Sequence, residues 1–539
     1  MSDLATAAPR PPAAALLDKK MKKSHALISG GVVMVAGAIG LGYIAIHVAQ
    51  DFSNVTVTSA WPYVLLTVAL LIALGFEFVN GFHDTANAVA TVIYTHSLEP
   101  NFAVVWSGLC NLSGVLVSTG TVAFTVITLL PVELILQVSS GAGYSMVFAL
   151  LIAAILWNLG TWWFGLPASS SHTMVGSIIG VGVANQIMSV HNGTSGVDWD
   201  QAAKVFKVLL ISPVVGFGAA ALLFLLAKLT IKYPALYEAP KGSAPPPWPI
   251  RALLILTCTG VSFSHGSNDG QKGMGLIMLI LIGTVPTAYA LNHAVTEKDV
   301  QAFIASSQQA GQILDRHVDK SGILGPDARA TVTSYIATKQ LQPDTVLALR
   351  ELVEDLNHEV ALYKEFKNVP PRQQANVRND MYVASEAIRL MQKNHNPAFT
   401  PAETAVLTNY KSKIDKATRF IPTWVKVAVA LALGMGTMIG WKRIVVTVGE
   451  KIGKEHLTYA QGACAELVAM ATISLADNFG LPVSTTHVLS SGVAGTMAAN
   501  KSGLQISTIR NIAAAWVFTL PAAALLSGTL FWLFSRIAH

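Results

Sequence analysis

Apolar runs near twenty residues long, each about the length of one bilayer crossing, alternate with short polar stretches along most of the chain. They fall at 26–50, 61–95, 102–128, 143–164 and 205–231, then from 252 to 292, and again at 422–441, 458–478, 484–499 and 511–535. The few polar positions inside these runs recur. GFHDTANAVAT, Gly81 to Thr91, is echoed by HGSNDGQKGMG, His265 to Gly275. GLPASSSHT, Gly165 to Thr173, is echoed by GLPVSTTHV, Gly480 to Val488. Ionisable residues at membrane depth are costly and mark a pathway or a binding site.

The pattern predicts an all-α polytopic membrane protein. It has two inverted repeats of about five spans with broken or re-entrant half-helices, an extra N-terminal transmembrane helix and a soluble helical insert. Residues 1–25 are an Ala- and Pro-rich tail expected to be disordered and cytoplasmic, 26–50 the extra transmembrane helix, and 51–231 the first repeat. A Pro-rich cationic linker at 232–251 divides the halves, and 252–292 start the second repeat. An odd number of crossings in the first half makes the second start on the opposite side, hence the inversion. Residues 293–420 are charged and helix-friendly, and 421–539 complete the repeat. Asp269 and Pro482 lie 130 residues further apart than Asp84 and Pro167, nearly the 128 residues of 293–420. The insert therefore sits in the loop equivalent to Ser97–Asn101. Lys and Arg crowding at 442–454 and at Lys501 and Arg510 places those loops in the cytoplasm and the insert on the outer, periplasmic face.

Composition agrees. The 539 residues are 52% hydrophobic and 12% charged, half the usual charged share, with a mean hydropathy of +0.50. The net charge of +6 is accounted for by cytoplasmic loops rather than by nucleic-acid binding. Cys110, Cys258 and Cys464 lie in apolar runs with neither metal spacing nor a disulfide framework.

Two half-helices are expected to start at Ser169, Ser170 and Ser171 and at Ser484, Thr485 and Thr486. Their free N–H groups, positive dipole ends and hydroxyls, pointed at each other, would form a donor cage for a tetrahedral oxyanion. The bland alternative is simple N-capping after a proline; duplication behind matched Asp motifs favours the cage. Asp84 with Asn87 at i+3 offers hard oxygens on one helix face, suited to sodium or to a divalent ion. In the second copy, Asn268 and Asp269 are followed by Lys272 at the position of Asn87, and its ammonium takes the place of a bound cation. That favours protons over sodium. His83 and His265 are candidate proton carriers, and His172 and His487 are expected to brace the half-helices. Glu77 is one more intramembrane acid, lining the path or pairing with Lys272.

These motifs, with TMIGWKRIVVTVGEKIGK, resemble the PiT family of inorganic phosphate transporters over roughly 61–292 and 421–539. The likeness is strongest to the bacterial low-affinity branch, which implies symport of phosphate with protons, as a neutral metal–hydrogenphosphate complex. By resemblance, Ser169, Ser170, Ser171, Ser484, Thr485 and Thr486 hold phosphate, and Asp84, Asn87, Asn268 and Asp269 handle the coupling cation. The sodium-coupled branch has Asn where this chain has Lys272. The resemblance further implies a homodimer, and the charge pattern is that of a bacterial inner-membrane protein with its N-terminus cytoplasmic. No resident cofactor is implied, although a divalent metal such as magnesium can travel with the phosphate.

The alternatives are a sodium-coupled phosphate or sulfate symporter of the same fold, an intramembrane phosphohydrolase using Ser171, His172 and Asp84, and a sensor signalling through the insert. No GxSxG elbow surrounds the serines, and duplication gives two equal sites where an enzyme needs one.

Overall fold

A computed structural model describes residues 23–52, 61–131, 135–136, 141–188, 196–240, 242 and 244–537. Most of the expected N-terminal tail, residues 1–22, lies outside the described residues. Among the described residues the regular structure is helical, apart from one backbone bridge between Gly453 and Leu504.

The first half contains α1 (Lys23–Phe52), α2 (Trp61–Tyr94), α3 (Pro100–Val117), α4 (Thr121–Ile127), α5 (Gly141–Trp163), α6 (Ser170–Met188) and α7 (Trp199–Thr230). The second half resumes with α8 (Trp248–Thr284). After an insert of α9 (Glu297–Arg316), α10 (Ala328–Thr338), α11 (Thr345–Tyr363), α12 (Pro371–Asn394) and α13 (Pro401–Thr418), it continues with α14 (Thr423–Thr437), α15 (Lys442–Glu450), α16 (Tyr459–Asn478), α17 (Thr485–Ala499) and α18 (Ile506–Ile537). Three boundaries move from expectation. Helix α1 begins inside the tail, at Lys23. Helix α8 begins at Trp248, because Pro247 and Pro249 set the first turn, so the linker ends sooner. The apolar run 102–128 is broken between α3 and α4, where Ser118 caps α3 and Gly120 turns with φ 88°. Its counterpart breaks too, at Gly440 with φ 77°, and α15 occupies part of the expected loop.

The two halves interlock. Helix α2 packs on α14 and α8 on α3, each Asp helix lying against the other half; likewise α6 packs on α18 and α17 on α7. Glycine makes the first pair of contacts possible. A Cβ on Gly81 would lie 2.2 Å from the carbonyl of Leu433, and one on Gly266 would lie 2.1 Å from that of Asn111. Each glycine stands three residues before an Asp, so each carboxylate sits where the two halves touch.

Among the described residues, five helices (α2, α3, α5, α7 and α18) are long and apolar enough to cross a membrane, or six if α13 and α14, bent by 73°, count as one span. Helices α8 and α16 carry polar residues within their apolar runs, the second Asp motif on α8 and Gln461 and Glu466 on α16, and bury them in the bundle. Helix α1 packs on α14, and its Asp51 accepts hydrogen bonds from Tyr289 (2.7 Å) and Trp424 (3.1 Å). Helices α9 to α13 surround an apolar core of their own, from Leu291 to Ala417. They dock on the segment before α7 through Lys339 and Arg389, which pair with Asp198 at 3.4 and 3.1 Å.

Candidate functional site

The two GLP turns are built alike. Gly165 and Gly480 have φ of 67° and 64°, and in each the next residue's N–H reaches back five residues, Leu166 to Thr161 and Leu481 to Ala476. This is the Schellman ending that glycine permits. Pro167 and Pro482 then redirect the chain, and Ser169 and Ser484 accept from the N–H groups of His172 (3.2 Å) and His487 (3.1 Å). These two hydroxyls therefore cap α6 and α17, leaving Ser170, Ser171, Thr485 and Thr486 as the first-turn hydroxyls. The tips meet: the rings of His172 and His487 lie 4.4 Å apart. His487 also stacks on Trp516 at 4.1 Å, which fits the bracing role expected of this pair.

A single carboxylate joins the tips. Ser170 Oγ donates to Asp84 Oδ2 at 2.6 Å, and Thr486 Oγ1 donates to Asp84 Oδ1 at 2.5 Å. One oxygen pair thus holds one hydroxyl from each half. His83 Nδ1 lies 3.2 Å from Asp84 Oδ1, and its Nε2 is 3.0 Å from Thr161 Oγ1.

Asp269 sits beside this cluster, 3.4 Å from Ser170 Oγ. Lys272 Nζ is 2.8 Å from its Oδ1, an ion pair without hydrogen-bond alignment, and donates instead to Ser171 Oγ at 2.5 Å. Ser171 Oγ in turn donates a hydrogen bond to the Val483 carbonyl at 2.7 Å. Lys272 has no exposed surface, so its charge is met by Asp269 and by the first-half tip. His265 Nε2 is 3.5 Å from Asp269 Oδ2, and its Nδ1 is 2.7 Å from Asn111 Oδ1. Asp84, Asp269 and His265 each present an oxygen or nitrogen within 4.8 Å of the others, close enough to share a cation.

Asn268 does other work here. Its Nδ2 donates to the Leu481 carbonyl (3.2 Å) and its Oδ1 lies 3.5 Å from Val483 N, so it braces the strand-like approach to α17. The side chain of Asn87 lies outside the described residues. Glu77 does not pair with Lys272; it is fully buried against Gly273, with Asn80 Nδ2 3.4 Å from its Oε2.

Sequence reasoning passed over Glu466 on α16. It is fully buried and takes hydroxyl hydrogen bonds from Thr91 and Thr257, one from each Asp helix. An acid in an apolar run was its signal. Asn111 and Thr161, which hold the two motif histidines, gave none, because one polar residue in a span is ordinary.

The helical bundle buries two acids, a lysine and two hydroxyl-bearing helix tips at one point, a set of groups with the chemistry to hold an ion. Residues 80–527 match the phosphate transporter family, and the chain belongs to that family. It is 43% identical over 489 residues to the low-affinity inorganic phosphate transporter PitA of Escherichia coli K12, covering 87% of this chain and 96% of that protein. The low-affinity inorganic phosphate transporter PitB of the same strain is 39% identical over 482 residues, with the same coverage. A solved sodium-dependent phosphate transporter covers 88% of this chain and 100% of its own at 18% identity, with a TM-score of 0.48. The relatives are transporters, which removes the hydrolase from consideration.

Proposed function

We propose that the chain is a secondary symporter that imports inorganic phosphate with protons, and that Asp84 links the two. The observation that carries this is the joint hold of Asp84 on Ser170 and Thr486. Those hydroxyls are the donors an arriving oxyanion needs. While Asp84 is ionised it occupies them and repels a second anion. A proton on Asp84 weakens both bonds, removes the repulsion and frees the hydroxyls and the helix-tip N–H groups for phosphate. Anion and proton are then favoured together. Lys272 keeps Asp269 neutralised, so Asp84 is the acid that exchanges its proton.

Phosphate fits better than sulfate because it carries protons at neutral pH and can donate to a facing carboxylate. A phosphate already paired with a divalent metal such as magnesium would enter with less charge, the metal acting as cargo. Sodium coupling at the second half is disfavoured by the Lys272 ammonium beside Asp269. The matched helix order and the cross-packing of α2 with α14 and α8 with α3 support two inverted repeats that rock about the site. We further assign the chain to a bacterial inner membrane as a homodimer, with α1 as an additional span, the N-terminus cytoplasmic and the insert periplasmic.

The test is uptake of labelled phosphate into proteoliposomes with the pH gradient, sodium and magnesium varied independently. Uptake should follow the inward proton gradient and persist without sodium and in excess sulfate. Uptake driven by sodium alone would overturn the coupling.

A further inference from the structure

Arginines that leave water ordinarily bring a carboxylate with them, because an unpaired buried charge costs several kcal/mol. The insert follows this rule with one exception. Arg329 is paired with Asp380, and Arg389 with Glu386 and Asp198. Those pairs consume the carboxylates nearest Arg378 on α12. Arg378 is 6% exposed and, among the described residues, has no carboxylate within ion-pair distance. Its Nη1 reaches only the amide oxygen of Asn379, at 3.1 Å, and its Nε has no acceptor. Its guanidinium lies 5.3 Å from the centre of the Tyr382 ring.

A second cation stands beside it. Arg419, just past α13, is 28% exposed, keeps one carboxylate contact (Asp415, 3.1 Å) and lies 5.9 Å from the Phe124 ring. Asp415 already serves Lys411 at 2.6 Å, so Arg419 takes only a share of it. Burial lowers the pKa of Arg378 to about 10, with Tyr382 opposing and Arg419 adding to the effect. It therefore stays charged at neutral pH. Both arginines line a cavity of about 30 Å³ between the insert and the membrane bundle, with Tyr382 and Thr418 on one side and Phe124 and Leu279 on the other. That is room for roughly two ordered waters or one small inorganic anion.

We infer that Arg378 and Arg419 form a second anion site, outside the central cluster, that takes a small inorganic oxyanion such as phosphate. An orphaned guanidinium N–H, a neighbouring guanidinium and a cavity between them supply charge, direction and space. Guanidinium forks suit oxyanions because they present parallel donors. The bound anion would neutralise the buried charge and fasten the insert to the outer ends of α4 and α8. This site stands apart from the transport reading and does not depend on it.

The test uses full-length protein, purified in detergent and freed of lipid. Labelled phosphate is titrated by equilibrium dialysis at constant ionic strength, with thermal unfolding followed in parallel. The wild type should bind at two independent sites. Arg378→Met should lose one of them, or weaken it about tenfold to a hundredfold, the effect of one charge-assisted hydrogen bond. Arg419→Gln should do the same. In the absence of phosphate Arg378→Met should melt no lower than the wild type, since it removes an unpaired buried charge. A Ser170→Ala/Thr486→Ala variant should keep this site and lose the central one. Unchanged stoichiometry and affinity in both arginine variants would overturn the inference. So would displacement of phosphate from the second site by micromolar phosphatidylglycerol, which would assign the cavity to a lipid headgroup. Should Arg378→Met fail to fold, Arg419→Gln carries the test alone. Loss of central binding with the arginine-dependent site intact would count against the transport reading and not against this one.

Discussion

Replacing Asp84 by Asn asks whether one carboxylate holds the two helix tips against the substrate. In the wild type, Ser170 and Thr486 each donate to an ionised oxygen, and bonds of that kind contribute about 1.5–3 kcal/mol each. An anion that takes these hydroxyls, as proposed, must break both. Asn offers one carbonyl oxygen and an NH2 group, so it can accept from one hydroxyl only, with a neutral bond of about 0.5–1.5 kcal/mol. The cost of anion binding therefore falls by at least about 1.5 kcal/mol, before relief of charge repulsion is counted, or about tenfold or more in affinity. Asp84→Asn should thus bind phosphate more tightly than the wild type at alkaline pH. Its affinity should lose the strengthening that the wild type gains as pH falls. Under the proposed proton coupling through Asp84, uphill uptake should be abolished while phosphate exchange across the membrane persists. Binding by calorimetry across a pH series, with uptake in proteoliposomes, measures all of this. An Asn variant that binds phosphate more weakly with an unaltered pH dependence would refute the competition between Asp84 and the substrate.

Other perturbations probe the supports. Ser170→Ala with Thr486→Ala removes one donor from each tip, and the uptake KM should rise about tenfold or more; an unchanged KM removes the cage. Lys272→Met deprives the buried Asp269 of its lysine partner and should cost about 3–5 kcal/mol in unfolding experiments, whereas Lys272→Asn should make uptake responsive to sodium. Gly81→Ala drives a methyl group to 2.2 Å from the Leu433 carbonyl and should destabilise the fold by about 1–3 kcal/mol; Gly75→Ala, whose Cβ meets nothing nearer than 4.0 Å, is the neutral control in the same thermal melts. Asp198→Ala removes the N-cap of α7 together with the pairings to Lys339 and Arg389, and should cost about 0.5–2 kcal/mol, seen as faster amide exchange at the start of α7.

The bundle was legible because its chemistry is written twice. Duplicate Asp motifs and duplicate GLP turns pointed to one meeting point, and Ser170 and Thr486 meet at Asp84. The insert stood out by its charged composition at 293–420, and spacing then assigned it to the loop equivalent to Ser97–Asn101. What escaped depends on partners distant in sequence. Ser169 and Ser484 look like their neighbours in the chain, and only the turn geometry makes them caps while Ser170 and Thr486 face the acid. Asn268 belongs to the same motif as Asp269, but the α17 backbone claims it. The break at Gly120 lies in a run apolar enough to span, so hydropathy could not reveal it; a positive φ at a single glycine did the work. Arg378 reads as one more charge on a soluble helix, and its isolation appears only after every nearby carboxylate has been assigned.

Duplication gives the site its symmetry, and departures from symmetry give it direction. Gly81 and Gly266 place both acids at equivalent crossings of α2 with α14 and of α8 with α3. Were the two acids alike, each would hold one tip, and either could exchange a proton. Lys272 prevents this. By pairing with Asp269 and donating to Ser171, it commits one acid and one hydroxyl to a fixed internal contact. Asp84 is left to gather Ser170 and Thr486, one hydroxyl from each half. A single titrating group that bridges the two halves can tie proton binding to their relative movement, which a symmetric pair could not do with one proton. A double replacement, Lys272→Asn with Asn87→Lys, moves the ammonium to the other half. If the lysine decides which acid carries the proton, uptake in this exchange variant should survive Asp84→Asn and fail with Asp269→Asn, the reverse of the wild type.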